Sequence, residues 1–242
     1  MRFTFPITFM LMATFVGIVP ANADEKKSSE SATEVRKADF SDPLKTYRTY
    51  LEAVKGNDLN LAKECMFLKK DAPGVLDFAV GLWIAHHRFN ALVTTRFGKH
   101  DDSPFFRSDC NDEAIDRTLD KLANATVIIK GDSAEMTINW GDYDDAHPVF
   151  NFQGDAPMIF SKIKGLWKIA CDLEEPAEKL FAPGTWGWCF RESMKALNET
   201  SDAIESGKLK NWEQVNARME ERQKELERQY QKDYQPPGSA PE

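Results

Sequence analysis

The sequence predicts an α+β fold, with a block of helices packed on one face of a curved antiparallel sheet and a helical extension at the C-terminus. Three observations predict it. Apolar residues recur at helical spacing from residue 43 to about 122, the period falls to two between 126 and 171, and helical spacing returns after 190. Helices followed by hairpins, rather than helices alternating with strands, give the element order of an α+β domain.

Order begins at Asp42-Pro43, an aspartate N-cap followed by proline at the first helical position. Leu44, Tyr47, Leu51 and Val54 then share one stripe, and Gly56 stops the helix. A second short helix follows Asp58, with Leu59, Ala62 and Met66 on one side. The longest helix covers about 73–97. Val75, Phe78, Leu82, His86, Phe89 and Val93 form one stripe on it, and Leu76, Val80, Trp83 and His87 form an adjacent one. An apolar surface that wide predicts a helix packed on two sides. Residues 99–112 are polar and rich in turn formers, hence a loop. Residues 113–122 form a short amphipathic helix on Ile115, Leu119 and Leu122.

Thr126-Val127-Ile128-Ile129-Lys130 is β-branched and ends at Gly131-Asp132, a two-residue hairpin turn. The returning strand, 134–140, alternates Ala134, Met136, Ile138 and Trp140 with Glu135, Thr137 and Asn139, so one face is buried and the other wet. A loop over 141–148 leads to a short strand at 149–152. Residues 158–163 and 166–171 form a second hairpin around Lys164-Gly165. Residues 174–190 read as an irregular aromatic connection containing Trp186 and Trp188. Helices at about 191–206 and from Trp212 onward close the chain. The distal part of the last helix, 220–232, is almost wholly charged or Gln and reads as solvent-exposed or as a partner-binding arm.

The N-terminal segment predicts export. One positive charge (Arg2) precedes an apolar run from Ile7 to Val19, Pro20 breaks it, and Ala21-Asn22-Ala23 offers a small-residue cleavage site. The run is shorter than the roughly 20 residues a bilayer span requires. The expected organisation is therefore a signal peptide over 1–23, a disordered leader over 24–41, an α+β domain over 42–173, a helical extension over 174–234 and a disordered tail over 235–242. The exported chain would reach the periplasm or beyond, with no membrane span. The formal net charge is −8, which argues against nucleic acid, whose phosphates select Lys/Arg-rich surfaces. Cys65, Cys110, Cys171 and Cys189 would form one or two structural bridges or remain buried thiols. No Cys-x-x-Cys occurs, which disfavours a redox motif or a zinc ribbon.

Two segments carry a family resemblance. Tyr47-Arg48-Thr49-Tyr50-Leu51-Glu52-Ala53-Val54-Lys55-Gly56-Asn57-Asp58 resembles the entry helix of the nuclear transport factor 2-like superfamily, which includes SnoaL-like and ketosteroid-isomerase-like proteins. Phe160-Ser161-Lys162-Ile163-Lys164-Gly165-Leu166-Trp167-Lys168-Ile169 is similar to its terminal hairpin. The resemblance spans 42–172 and implies a cone-shaped pocket between helices and sheet. It leaves function open, since the fold serves binding and several chemistries. The C-terminal helical pair departs from the family pattern.

The resemblance implies a pocket wall containing Trp83, His86, His87, Trp140 and Trp167. Either histidine could act as a general base in a SnoaL- or isomerase-type enzyme; the plainer reading is one packed, hydrogen-bonded His and one nearer the surface. Adjacent helical residues point about 100° apart, so the pair cannot readily chelate one metal. Asp142-Tyr143-Asp144-Asp145-Ala146-His147 departs from an EF-hand at positions six and twelve and reads as a solvated turn, as does Asp101-Asp102. No carboxylate–tyrosine pair maps onto an isomerase site. Trp186, Trp188 and Phe190 suggest either a ligand platform or packing of the extension. The sequence thus points to a non-catalytic protein that binds a small apolar ligand or a protein partner, including a second copy as a homodimer. No catalytic residue, metal or cofactor is assigned.

Overall fold

The computed structural model describes residues 38–68, 74–100, 103, 105, 110–139, 157–171 and 177–233. The expected signal peptide, the leader up to residue 37, Asp101-Asp102, Trp140, the 142–147 acidic run, the strand at 149–152 and the tail lie outside the described residues. The last four residues of the expected leader, 38–41, are not disordered but tied to the domain, Phe40 O accepting from Trp167 N at 3.0 Å.

Helix α1 (Pro43–Lys55) starts where the Asp42 carboxylate accepts from the Lys45 amide and Pro43 fixes the first turn. Tyr47, Leu51 and Val54 of its predicted stripe are fully buried. The helix ends at Gly56. Asn57 then adopts φ 55°, a left-handed turn that asparagine tolerates, and Asp58 caps α2 (Leu59–Glu64) through the Leu61 amide. Next comes β1 (Met66–Leu68), where the sequence had placed Met66 on a helix face. Three residues are too few to leave a period; pairing fixes this strand, with Cys65 O accepting from Ile169 N at 2.8 Å.

Helix α3 (Val75–Phe97) follows, then α4 (Asp112–Lys121), capped by Asn111, and a single 3₁₀ turn (Leu122–Asn124). Strands β2 (Thr126–Lys130), β3 (Ser133–Thr137), β4 (Met158–Ile163) and β5 (Leu166–Cys171) complete a five-stranded sheet ordered β1-β5-β4-β3-β2. The β2–β3, β3–β4 and β4–β5 pairs are antiparallel as expected; β1 lies parallel to β5, so the sheet is mixed. Both hairpins turn on two residues. Gly131 has positive φ in the first, and Lys164 and Gly165 both have it in the second, the left-handed geometry that matches strand twist.

Helices α5 (Ala177–Leu180), α6 (Trp186–Glu205) and α7 (Trp212–Asp233) form the extension. Helix α6 begins five residues earlier than its sequence pattern predicts. Thr185 caps it by accepting from the Trp188 amide, so Trp186 and Trp188 belong to its first turn and not to an irregular connection. Gly187 makes this tight entry feasible: a Cβ there would lie 2.2 Å from the Leu180 carbonyl oxygen.

Two apolar cores share α3. One joins Leu76, Val80, Trp83 and Ile84 to α1 and to the inner sheet face, through Met136, Met158, Phe160, Trp167 and Ile169. The other joins Leu82, Ala85, Phe89 and Val93 to Leu197 and Ile204 of α6 and Val215 and Met219 of α7. The two predicted stripes thus address two different layers. On the second side Gly81 lets α6 come close, with Met194 Sδ 2.8 Å from where a Cβ would stand. Arg88 bridges Asp202 and Glu205, both at 2.7 Å, and draws its added basicity first from Glu205. Among the described residues, no helix is long and apolar enough to cross a membrane.

Candidate functional site

His86 and His87 go to opposite layers. His87 lies on the Val80–Trp83 side of α3, is 2 % exposed, and has both ring edges occupied. Nε2 is 2.8 Å from Asp112 Oδ1 at the start of α4, and Nδ1 is 3.4 Å from Asn57 Oδ1 in the α1–α2 turn. The Asp112 carboxyl is held below its ordinary range, first by the His87 hydrogen bond and further by the charges of His87 and Lys55, against the opposing effect of burial. Lys55 and Asp116 pair at 2.6 Å beside it, and Asn90 donates to Cys110 O at 3.0 Å. His87 therefore ties three segments together. A general base needs a nitrogen lone pair that can reach a substrate proton, and neither ring edge of His87 is open.

His86 is buried as well, on the side of α3 that carries Leu82 and Phe89 and meets α6. The sequence-based expectation of one packed, hydrogen-bonded histidine holds for His87. The expectation that its neighbour is nearer the surface does not, because α6 covers that side.

Trp83 and Trp167 do come together in the first core. Trp167 is buried at the inner sheet face, where its backbone N–H donates to Phe40 O (3.0 Å) and its carbonyl accepts from Thr46 Oγ1 (3.1 Å). The Lys162 ammonium lies 5.6 Å from its ring centroid. Trp140, the remaining pocket-wall candidate, falls outside the described residues.

The polar feature that sequence reasoning missed is a tyrosine pair on α1. Tyr47 and Tyr50 are fully buried, with rings near-parallel (14°) and centroids 6.2 Å apart. Burial pushes both hydroxyls well above their usual pKa, so they are neutral donors; for Tyr50 the neighbouring Tyr47, Cys65, Cys110 and Cys171 add to the effect. Tyr47 Oη has no hydrogen-bond partner among the described residues. A signal existed: Tyr47 sits on the buried stripe of α1, and a buried phenol raises the question of its acceptor.

All four cysteines are present as thiols, with Cys65, Cys110 and Cys171 buried and Cys189 partly so. Cys65 donates to Leu61 O, and burial pushes its thiol up to about 12, which makes it inert. Among the described residues no His, Cys, Asp and Glu cluster could hold a metal ion. Trp188 is buried, and Phe190 packs on Phe78 at 6.2 Å, so these two aromatics serve the packing of the extension. Comparison with protein-family models, with curated proteins and with solved structures finds no match for this chain.

Proposed function

We propose that this chain is an exported, non-catalytic binding protein, built on a nuclear transport factor 2-like domain, that holds a small apolar ligand between helices and sheet. The observation that carries the reading is the Tyr47 hydroxyl. Among the described residues it has no acceptor; a fully buried donor left so costs about 1–3 kcal/mol, and a ligand oxygen placed there would satisfy it. The ligand class is accordingly an apolar molecule with one carbonyl or ether oxygen. The engagement of both ring edges of His87 favours binding over a histidine-based reaction. The two segments that carry the family resemblance also share one core, Tyr47, Leu51 and Val54 of the first with Phe160, Trp167 and Ile169 of the second, as parts of one domain should.

Native mass spectrometry of protein recovered from its own compartment tests the reading, followed by denaturing release of whatever co-purifies. An apolar, oxygen-bearing adduct that the Tyr47→Phe variant loses is the expected result. A wild-type protein that carries no adduct, and takes up none from a total apolar extract, refutes it.

A further inference from the structure

Among the described residues three large apolar side chains are exposed, and two of them are consecutive on β2: Ile128 at 49 % and Ile129 at 56 %. Among the described residues strand β2 is an edge of the sheet, paired on one side only, with β3. Consecutive strand residues face opposite sides, so Ile128 lies on the outer face and Ile129 on the inner one. A partner laid flat against one face of the sheet would cover only one of them. A further strand continuing the sheet would cover both.

The main chain points the same way. Lys130 and Ser133 flank a two-residue turn and so form a hydrogen-bonded pair. Counting back, Lys130, Ile128 and Thr126 direct their peptide groups to β3, while Val127 and Ile129 direct theirs to the open edge. Natural edges are usually guarded by proline, a bulge, an inward-pointing charge or extreme shortness. The opposite edge, β1, is three residues long. Strand β2 has five residues in unbroken register with β3, without proline or glycine, and its one charge stands at the end.

We propose that β2 pairs antiparallel with β2 of a second copy, joining two sheets into one of ten strands. The two-fold axis passes through Ile128, and this register is the one that pairs all five residues. Ile128 then faces Ile128 of the partner subunit across the axis. Val127 and Ile129 exchange main-chain hydrogen bonds with the partner subunit's Ile129 and Val127, so that outward-pointing groups meet outward-pointing groups. Each Lys130 meets a threonine and not another lysine. Sliding the strands toward the turns would set the two Lys130 side chains opposite each other, and like charges directly opposed in a sheet are unfavourable. The contact is small, which makes the dimer reversible and concentration-dependent. It uses a different part of the domain from the Tyr47 region, so it stands whether or not a ligand binds there.

Sedimentation velocity on the purified chain, with reciprocal charge variants, tests the pairing. Wild type should shift from monomer to dimer as concentration rises. I128K and I128E should each weaken the dimer at least tenfold, because each places like charges across the axis, and an equimolar mixture should restore it as a heterodimer. I129P, which removes only an outward-pointing N–H, should abolish association while leaving the far-ultraviolet circular dichroism unchanged. A wild-type chain that stays monomeric up to about 100 μM overturns the proposal. So does a mixture of the two charge variants that stays monomeric, or an I129P variant that still dimerises, the signature of face-to-face sheet packing.

Discussion

Replacing Tyr47 with Phe should stabilise the ligand-free protein. The ring is fully buried and keeps its place beside Tyr50, so no cavity opens and the offset stack is preserved. The only atom removed is an oxygen with no hydrogen-bond partner among the described residues. In the unfolded chain that hydroxyl is hydrated; in the folded chain it loses water and gains nothing, a penalty of about 1–3 kcal/mol that the substitution removes. Taking about 1–2 kcal/mol, and about 2–4 °C per kcal/mol for a chain of this size, Tm should rise by about 2–8 °C. Thermal and urea unfolding, followed by circular dichroism with the m-value unchanged, provide the assay. Thr46→Val is the internal control: its hydroxyl is also buried but donates to Trp167 O at 3.1 Å, so the loss should be about 1 kcal/mol. A fall in Tm of 2 °C or more in Tyr47→Phe would show that the hydroxyl has an acceptor and would remove the basis for a ligand oxygen there.

Three further outcomes follow from the packing and the charges. Gly187→Ala should destabilise by about 3 kcal/mol because its Cβ would strike the Leu180 carbonyl, whereas Gly81→Ala should cost less than about 1.5 kcal/mol because the Met194 thioether can swing aside; chemical denaturation of the two variants side by side checks the ratio. Asp39 is lowered from 3.8 to about 2, first by its hydrogen bonds with Ser41, and Asp112 is lowered by His87. A carboxyl that is more acidic folded than unfolded stabilises the protein above its unfolded value and loses that contribution as pH falls through its folded one. The stability from both groups should therefore be complete at pH 6 and decline below about pH 4, and Asp112→Asn should flatten the acid limb of a stability-against-pH curve. In the native protein, a thiol reagent at pH 8 should modify the half-buried Cys189 only slowly, its thiol also being pushed up by burial, and leave Cys65 untouched until unfolding; rapid native labelling of Cys65 would contradict its burial.

Much of the architecture was legible because it rests on local rules. Asp42-Pro43, Gly56 and the two-residue turns at Gly131-Asp132 and Lys164-Gly165 encode caps and turns in the residues that form them, and the elements begin and end there. The twin stripes of α3 announced two packing partners, since a helix apolar over so wide a surface has no solvent face to offer. Features set by distant partners were not legible. Met66–Leu68 is a strand only because β5 lies alongside it, and α6 starts early only because Gly187 admits the Leu180 carbonyl. The histidine pair showed its helical divergence in the sequence. Its chemistry depends on Asp112 and Asn57, which stand 25 and 30 residues from His87, and no periodicity connects positions so far apart. Tyr47 was visible as part of a stripe, yet whether its hydroxyl had an acceptor could be judged only with the sheet in place.

The double duty of α3 has a consequence for the order in which the chain can mature. Synthesis delivers α1, the sheet and α3 first, and the first core contains everything it needs by Cys171. At that moment Leu82, Phe89 and Val93 still face water, and their partners Leu197, Ile204, Val215 and Met219 have yet to be made. A fragment ending near residue 173 would thus present a greasy stripe along a 23-residue helix, suited to self-association and to capture by chaperones. The C-terminal pair is on this view a completion signal: the chain becomes safe to release only when α6 and α7 have arrived and closed the open side of the helix that all the earlier elements share.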